Sequence, residues 1–165
     1  MAEKKRDTLK IAVLSDTHDV LHPEVLSLLP GCDAILHAGD VCGQSVLDRL
    51  ARIAPLYAVR GNNDWSLDRR LRDSRAFMIE ATRFFMVHNR ADALREMRPR
   101  SPKDFDVVVF GHSHRYYEER EDGVLWLNPG SCGRRRFGGT LSFAWLTVDG
   151  KDVTVERVDL PPDER

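Results

Sequence analysis

The chain of 165 residues lacks most of what would tie it to a membrane, an oxidising compartment or a polyanionic partner. No stretch approaches the roughly eighteen consecutive apolar residues needed to cross a bilayer. Met1–Lys10 is charged and has no apolar core of the kind a secretory signal requires. The three cysteines, Cys32, Cys42 and Cys132, are odd in number and show no C-x-x-C spacing. They give no disulfide framework, and a reducing, cytoplasmic setting is expected, with the thiols as packed bystanders. Neither sign of charge dominates: 25 Lys and Arg against 26 Asp and Glu leave a net charge of -1. That balance supplies no general pull towards nucleic acid or anionic lipid. Only one segment departs from it. Between Arg60 and Arg100, ten arginines face six acidic residues, which is either a solvated surface or a docking face for a polyanion.

Two catalytic devices are also absent. There is no G-x-x-x-x-G-K-[ST] phosphate loop, which argues against a kinase or NTPase, and no Ser–His–Asp or Cys–His arrangement is evident. Ser15 and Ser131 are expected to make turn hydrogen bonds.

What is present is an ordered alternation of elements. Lys10–Ser15, Asp33–His37 and Pro55–Val59 are short apolar, β-branched runs and read as strands. Pro23–Leu29 and Gln44–Ile53 carry helical spacing between them. Strand–helix alternation implies parallel βαβ units. The second half is strand-rich. Ala76–Glu80 with Arg83–His88, Tyr116–Glu121 with Val124–Asn128, and Leu141–Val148 with Val153–Asp159 read as hairpins. Ala91–Met97 reads as a helix and Asp106–Phe110 as another buried strand. The fold expected is α/β, with two sheets packed face to face and helices outside. One domain spans the chain, residues 1–9 forming a flexible extension.

Polar turns follow these strands, and ligands of open α/β sheets bind beyond the carboxyl ends of strands. Asp16-x-His18, Gly39-Asp40, Gly61-Asn62-Asn63-Asp64, His88 and Gly111-His112-x-His114 occupy such positions in order. Asp16, His18, Asp40, Asn62, His88, His112 and His114 are therefore the candidate ligands. Seven N and O donors exceed what one ion takes and suit two first-row divalent ions about 4 Å apart. With no cysteine in the set, a structural zinc site is disfavoured. Two dications would lower the pKa of a bridging water and align its attack on a phosphoryl group. His22 and His37 read as ordinary packed residues, His37 with a supporting role to Asp40 as its functional alternative.

These blocks resemble the five-block pattern of the calcineurin-like metallophosphoesterases, in particular the small single-domain bacterial and archaeal phosphodiesterases. The resemblance runs from about Lys10 onward and includes Asn128-Pro129-Gly130-Ser131. It implies a four-layer α/β-sandwich with a dimetal site at the upper edge of the sheets. It further implies that Asp16, His18 and His114 hold one ion, that Asn62, His88 and His112 hold the other, and that Asp40 bridges. The implied activity is hydrolysis of a small phosphate ester, most readily a diester, by in-line attack of a metal-bridging hydroxide. The implied cofactors are two divalent transition-metal ions, manganese first and Fe, Ni, Co or Zn as substitutes. A homodimer is the expected form of any self-association. A second reading, also taken from the resemblance, is a catalytically weak or inactive protein-binding scaffold like the small retromer subunit.

Three positions depart from the family pattern or extend it. Asn63 stands where relatives carry histidine or cysteine, and a carboxamide donates a hydrogen bond but cannot act as a general acid at neutral pH. His88-Asn89-Arg90 replaces His-Gly-His, and places Arg90 where it could contact a substrate phosphate. Arg134, Arg135 and Arg136 follow the Asn-Pro-Gly-Ser turn, and Arg134 is the representative phosphate contact. Asn62 is expected to touch substrate as well, and Asp64 to support catalysis by orienting its neighbours.

Overall fold

The computed structural model describes residues 8–67, 71–133 and 139–162. In the first sheet, β1 (Leu9–Leu14), β2 (Ala34–His37) and β3 (Leu56–Ala58) run parallel, separated by α1 (Pro23–Leu28) and α2 (Gln44–Ile53). The second sheet takes β4 (Ser74–Ile79), β5 (Thr82–Val87), β6 (Val107–Val109), β7 (Tyr116–Glu121) and β8 (Val124–Pro129) in the order β4-β5-β6-β8-β7. The chain then returns to the first sheet through β9 (Leu141–Asp149) and β10 (Asp152–Leu160), giving the order β10-β9-β1-β2-β3. Both sheets are mixed: the first is parallel from β1 through β3 and antiparallel from β1 through β10, and the second has a parallel centre, β5-β6-β8, with antiparallel edges.

Three apolar clusters fill three interlayer spaces. Val25 of α1, its C-cap Leu29, and Val46, Leu47 and Leu50 of α2 pack on Leu14, Ile35 and Phe143 of the first sheet. Ile11, Val13 and Leu36 meet Phe84, Met86, Val107 and Leu127 between the sheets. Phe85, Val108 and Trp126 meet α3 (Ala93–Met97) on the outer face of the second sheet. Strands β1, β2 and β6 are apolar on both faces because both faces are covered. The layering is the four-layer sandwich expected.

The boundaries differ in places. Leu9, expected to end a flexible stretch, already belongs to β1 and pairs with Val148. The helix expected at Ala91–Met97 is a 3-10 turn, Arg90–Asp92, running into the short α3; Asn89 caps that turn by accepting the Ala91 N–H at 3.1 Å. A second 3-10 turn, Pro102–Asp104, had no apolar periodicity to announce it. Reciprocal bonds between Ser101 and Asp104 form the capping box that closes it. Among the described residues, no helix is long and apolar enough to cross a membrane.

A candidate dimetal centre

Five loops meet where the two sheets adjoin: those after β1, β2 and β3 of the first sheet and after β5 and β6 of the second. They are laced by backbone hydrogen bonds. The Asp16 and His18 N–H groups donate to the carbonyls of Gly39 and Asp40 at 2.9 and 3.0 Å, and Gly111 N–H donates to His88 O at 2.9 Å. Asp16 Oδ2 accepts from His112 N–H at 3.0 Å, and Ser131 Oγ donates to Asp16 O at 2.8 Å. The loops approach closely enough to need glycine. A Cβ at Gly61 would lie 2.2 Å from both Asp40 N and Asp40 Oδ1. Asp16, His18, Asp40, His112 and His114 all take positive φ, between 47° and 75°. Such backbone is rare outside glycine and costs on the order of 1 kcal/mol per residue. The surrounding bonds hold it in place.

The candidate ligands converge on one spot. Asp16 Oδ1 lies 3.3 Å from His114 Nε2 and 3.8 Å from the Nε2 atoms of both His18 and His88. Asp40 Oδ2 lies 3.7 Å from His18 Nε2 and 3.3 Å from His88 Nε2, so it stands between the two sides. His18 and His114 bring their Nε2 atoms within 3.2 Å of each other on one side. On the other, His112 Nδ1 and Asn62 Oδ1 are 3.2 Å apart, and the His112 ring meets His88 edge-on with centroids 5.3 Å apart. The donor atoms of Asp16, His18 and His114 lie within 4.8 Å of one another, as do those of Asp16, Asp40 and His88.

Electrostatics favour cation binding. Burial raises the Asp16 carboxyl, but His114, His88 and Ser15 outweigh it and hold the group below its ordinary range. Burial likewise acts upward on Asp40 and is overcome by His88 and by the Asn63 backbone and side-chain N–H groups. Both are carboxylates at neutral pH. Asp16 Oδ1 and His88 Nε2 are buried with no hydrogen-bond partner. Leaving a buried polar atom unmet costs about 1–3 kcal/mol, and two such atoms aimed at one point are what a divalent ion would satisfy. The donor set, carboxylate and imidazole without thiolate, fits first-row divalent ions.

Supporting residues surround the cluster. Asp64 does not face it. Its Oδ2 accepts from Asp40 N–H and Gly61 N–H, and its Oδ1 from Cys42 N–H, all at 2.8 Å, so it positions the Asp40 turn. Asn63 donates from its backbone to Asp40 Oδ1 at 2.9 Å and from Nδ2 to Asp40 Oδ2 at 3.0 Å. His37, fully buried, accepts Gly39 N–H at Nδ1 (3.1 Å), which leaves its proton on Nε2 to donate to Thr17 Oγ1 (3.0 Å). It thereby ties together the two turns that carry Asp16, His18 and Asp40. His88 Nδ1 is oriented by Ala38 O at 2.8 Å. Asn128 Nδ2 donates to Gly111 O and Ser113 Oγ at 3.0 and 3.1 Å, which explains the Asn-Pro-Gly-Ser turn as a brace for the His112–His114 loop. Sequence reading missed Asn128 as a brace and missed Cys42, whose Sγ is 3.6 Å from His18 Nδ1. Trp65, directly after Asp64, is 84% exposed.

Arg90 is not brought to the cluster. Its guanidinium lies over Tyr117, Trp126 and Phe110, 4.8, 5.1 and 5.5 Å from their centroids, and lines a cavity of about 640 Å³ that contains none of the candidate ligands. With Asn89 capping the 3-10 turn, the chain carries Arg90 onto the aromatic outer face of the second sheet. The expected phosphate contact is corrected accordingly. Arg134, Arg135 and Arg136 lie outside the described residues. His22 is structural: Nδ1 accepts Glu24 N–H at the start of α1, and Nε2 donates to Pro161 O at 2.7 Å.

Residues 9–151 match the calcineurin-like phosphoesterase superfamily domain. The chain belongs to that family. A phosphodiesterase of Methanocaldococcus jannaschii is 30% identical over 142 residues, covering 75% of this chain and 84% of the relative. A probable metallophosphoesterase of Methanothermobacter thermautotrophicus is 33% identical over 162 residues, covering 88% and 90%. The solved structure of an archaeal phosphodiesterase superposes with a TM-score of 0.74 at 25% identity, over 92% of this chain and all of that one. A zinc complex of Vps29 from Entamoeba histolytica superposes at 0.69 with 24% identity, over 92% and 99%, and shares the calcineurin-like fold.

Proposed function

We propose that this calcineurin-like protein is a metal-dependent phosphodiesterase acting on a small phosphate ester. The observation that carries the proposal is the gathering of Asp16, His18, Asp40, His88 and His114 from both sheets, with Asn62 and His112 beside His88 and with Asp16 Oδ1 and His88 Nε2 buried and unmet. Asp16, His18 and His114 would hold one ion, Asn62, His88 and His112 a second, and Asp40 would serve both, with manganese the first candidate metal. Bound there, two divalent ions would supply an acidified water and neutralise phosphoryl oxygens.

The chain's own residues set the rest. Asp64 and His37 fix the turns so that Asp16 and Asp40 arrive without reorganisation, the condition under which fixed charges act most strongly. Asn63 can donate a hydrogen bond from its amide to a phosphoryl oxygen but has no proton to give a departing alkoxide. Esters with good leaving groups are therefore favoured. A cavity of about 240 Å³ opens beside Asn62, His88 and His112, lined also by Arg60 and Asn89, and it offers room for the ester. Arg134 is the remaining proposed phosphate contact.

The test is turnover of an aryl phosphodiester by metal-stripped protein after restoring Mn²⁺, Ni²⁺, Zn²⁺ or Mg²⁺ separately, beside Asp40→Ala and His112→Ala. Activity that requires a transition metal and vanishes in both variants supports the enzyme. Protein holding two ions yet inert with each would overturn it and leave a scaffold of the same fold.

A further inference from the structure

The arginine excess between Arg60 and Arg100 is unused by this chemistry, and the fold gathers part of it. Arg72, Arg75 and Arg100 line a cavity of about 590 Å³ bounded by β4, Phe85 of β5 and Glu96 of α3. That volume lies within the range of small-molecule sites. None of the three arginines forms an ion pair among the described residues. The carboxylate lining the cavity, Glu96, is already engaged. It accepts from Ser74 Oγ at 3.2 Å and lies 3.7 Å from Arg95 Nη2, which also pairs with Asp92 at 3.2 Å. Three cations thus face a cavity whose single acid is met from outside by a fourth arginine.

Two of these guanidinium groups are also held in place. Arg75 lies 5.0 Å above the Tyr57 ring and 5.7 Å from that of Phe77. Those rings stack at 4.5 Å and 16°, and Phe77 stacks in turn on Phe84 at 5.3 Å and 5°. Arg100 lies 5.2 Å over Phe105. A guanidinium resting on a ring face keeps its N–H edge available, and less rotamer freedom is lost when that edge binds. Planar, pre-positioned N–H pairs match two oxygens of a phosphate.

We propose that this cavity is a second anion site, binding a small phosphorylated molecule of nucleotide size through Arg72, Arg75 and Arg100. It contains none of the candidate metal ligands and adjoins the cavity beside His88 and His112 through their shared Glu96. The cation cluster is concave and flanked by acids. Asp48 stands in the neighbouring cavity that Arg75 also lines, and Asp73 in the one beside the metal ligands. An extended nucleic acid would meet those carboxylates, whereas a compact phosphate ligand would not.

The test is a titration of zinc-loaded protein with adenosine 5′-monophosphate, followed by the amide resonances of Ser74, Ala76 and Glu96, with adenosine as the uncharged control. The expected result is saturable shifts at these three residues with the nucleotide alone. They should weaken at least tenfold in Arg75→Gln/Arg100→Gln and less in Arg72→Gln, which disturbs no ring contact. Aryl phosphodiester turnover should be unchanged in all these variants, which also reports that they fold. Shifts confined to Gly61, His88 and His112, equal shifts with adenosine, or full affinity in the double variant would overturn the site. Because Ser74 and Ala76 line this cavity and not the one beside the metal ligands, their shifts stay interpretable if the hydrolase reading fails.

Discussion

Asp64 shows how much of the centre depends on residues that never touch it. Three N–H groups end on its carboxylate, those of Asp40 and Gly61 buried and that of Cys42 half-buried. Removing it leaves all three unmet, at about 1 kcal/mol or more each. Asp64→Ala should therefore lose roughly 3 kcal/mol of stability and one bound ion, read by urea unfolding and metal stoichiometry; a variant with two ions and unchanged stability would refute that account. His37 makes a prediction about pH. Burial holds its imidazole down at about 4 against an ordinary 6.5, despite the upward pull of Asp16 and Asp40. The unfolded chain then takes up the proton first. The stability this ring contributes is complete above about pH 6.5 and is lost as pH falls towards 4. In the folded protein, the His37 ring resonances should not move between about pH 8 and 5.5; titration near 6.5 would show that the Gly39–His37–Thr17 tie does not exist. Cys132 is equally removed from chemistry, its thiol pushed up to about 12 by burial. Alkylating agents at neutral pH should pass it by.

At the scale of elements, most strands were legible because apolar runs on doubly covered strands are continuous and their ends carry Gly, Asp or Asn. The α2 boundaries followed from its apolar stripe, Val46, Leu47 and Leu50. The region from Asn89 to Asp104 was harder, because short 3-10 turns carry no periodicity and are set by single caps. Arg90 was misplaced for that reason: spacing put it near the cluster, and a capped turn carried it to the rings of Tyr117 and Trp126. The ligands themselves are readable in order, and His37 offers support of Asp40 as one of its two readings, whereas Asn128 and Cys42 act through contacts 15 to 24 residues distant that no local pattern encodes. Two glycines separate turn geometry from site geometry. Gly123, at φ 80° with open space around it, closes the β7–β8 hairpin, and Gly123→Ala should cost about 1 kcal/mol with metal binding intact. Gly61→Ala should instead cost more stability and also lose metal, because the new methyl group would overlap the Asp40 backbone and carboxylate. Metal analysis and thermal unfolding on the pair would distinguish them, and equal behaviour would contradict the close approach described.

For the whole molecule, the candidate ligands come from both sheets, so ion binding joins layers that otherwise meet through apolar contact and a few hydrogen bonds, among them His112 N–H to Asp16 Oδ2 and His88 Nδ1 to Ala38 O. Ions present at a hundred times their dissociation constant should add about 2.7 kcal/mol to stability. The melting temperature should rise with metal concentration in the wild type and stay flat in Asp16→Ala; a rise of the same size in that variant would place the ions elsewhere. Leu36→Ala, in the layer between the sheets, should cost about 2–5 kcal/mol, read by the same scans. The three tryptophans divide along the same architecture. Trp126 and Trp145 are buried in the outer layers, while Trp65 projects into solvent one residue beyond the acid that anchors the Asp40 turn. The protein therefore carries its own optical reporter. A soluble collisional quencher should extinguish the red-shifted share of the emission and spare the rest, which isolates, without a label, the light from the residue that adjoins the anchor of the Asp40 turn.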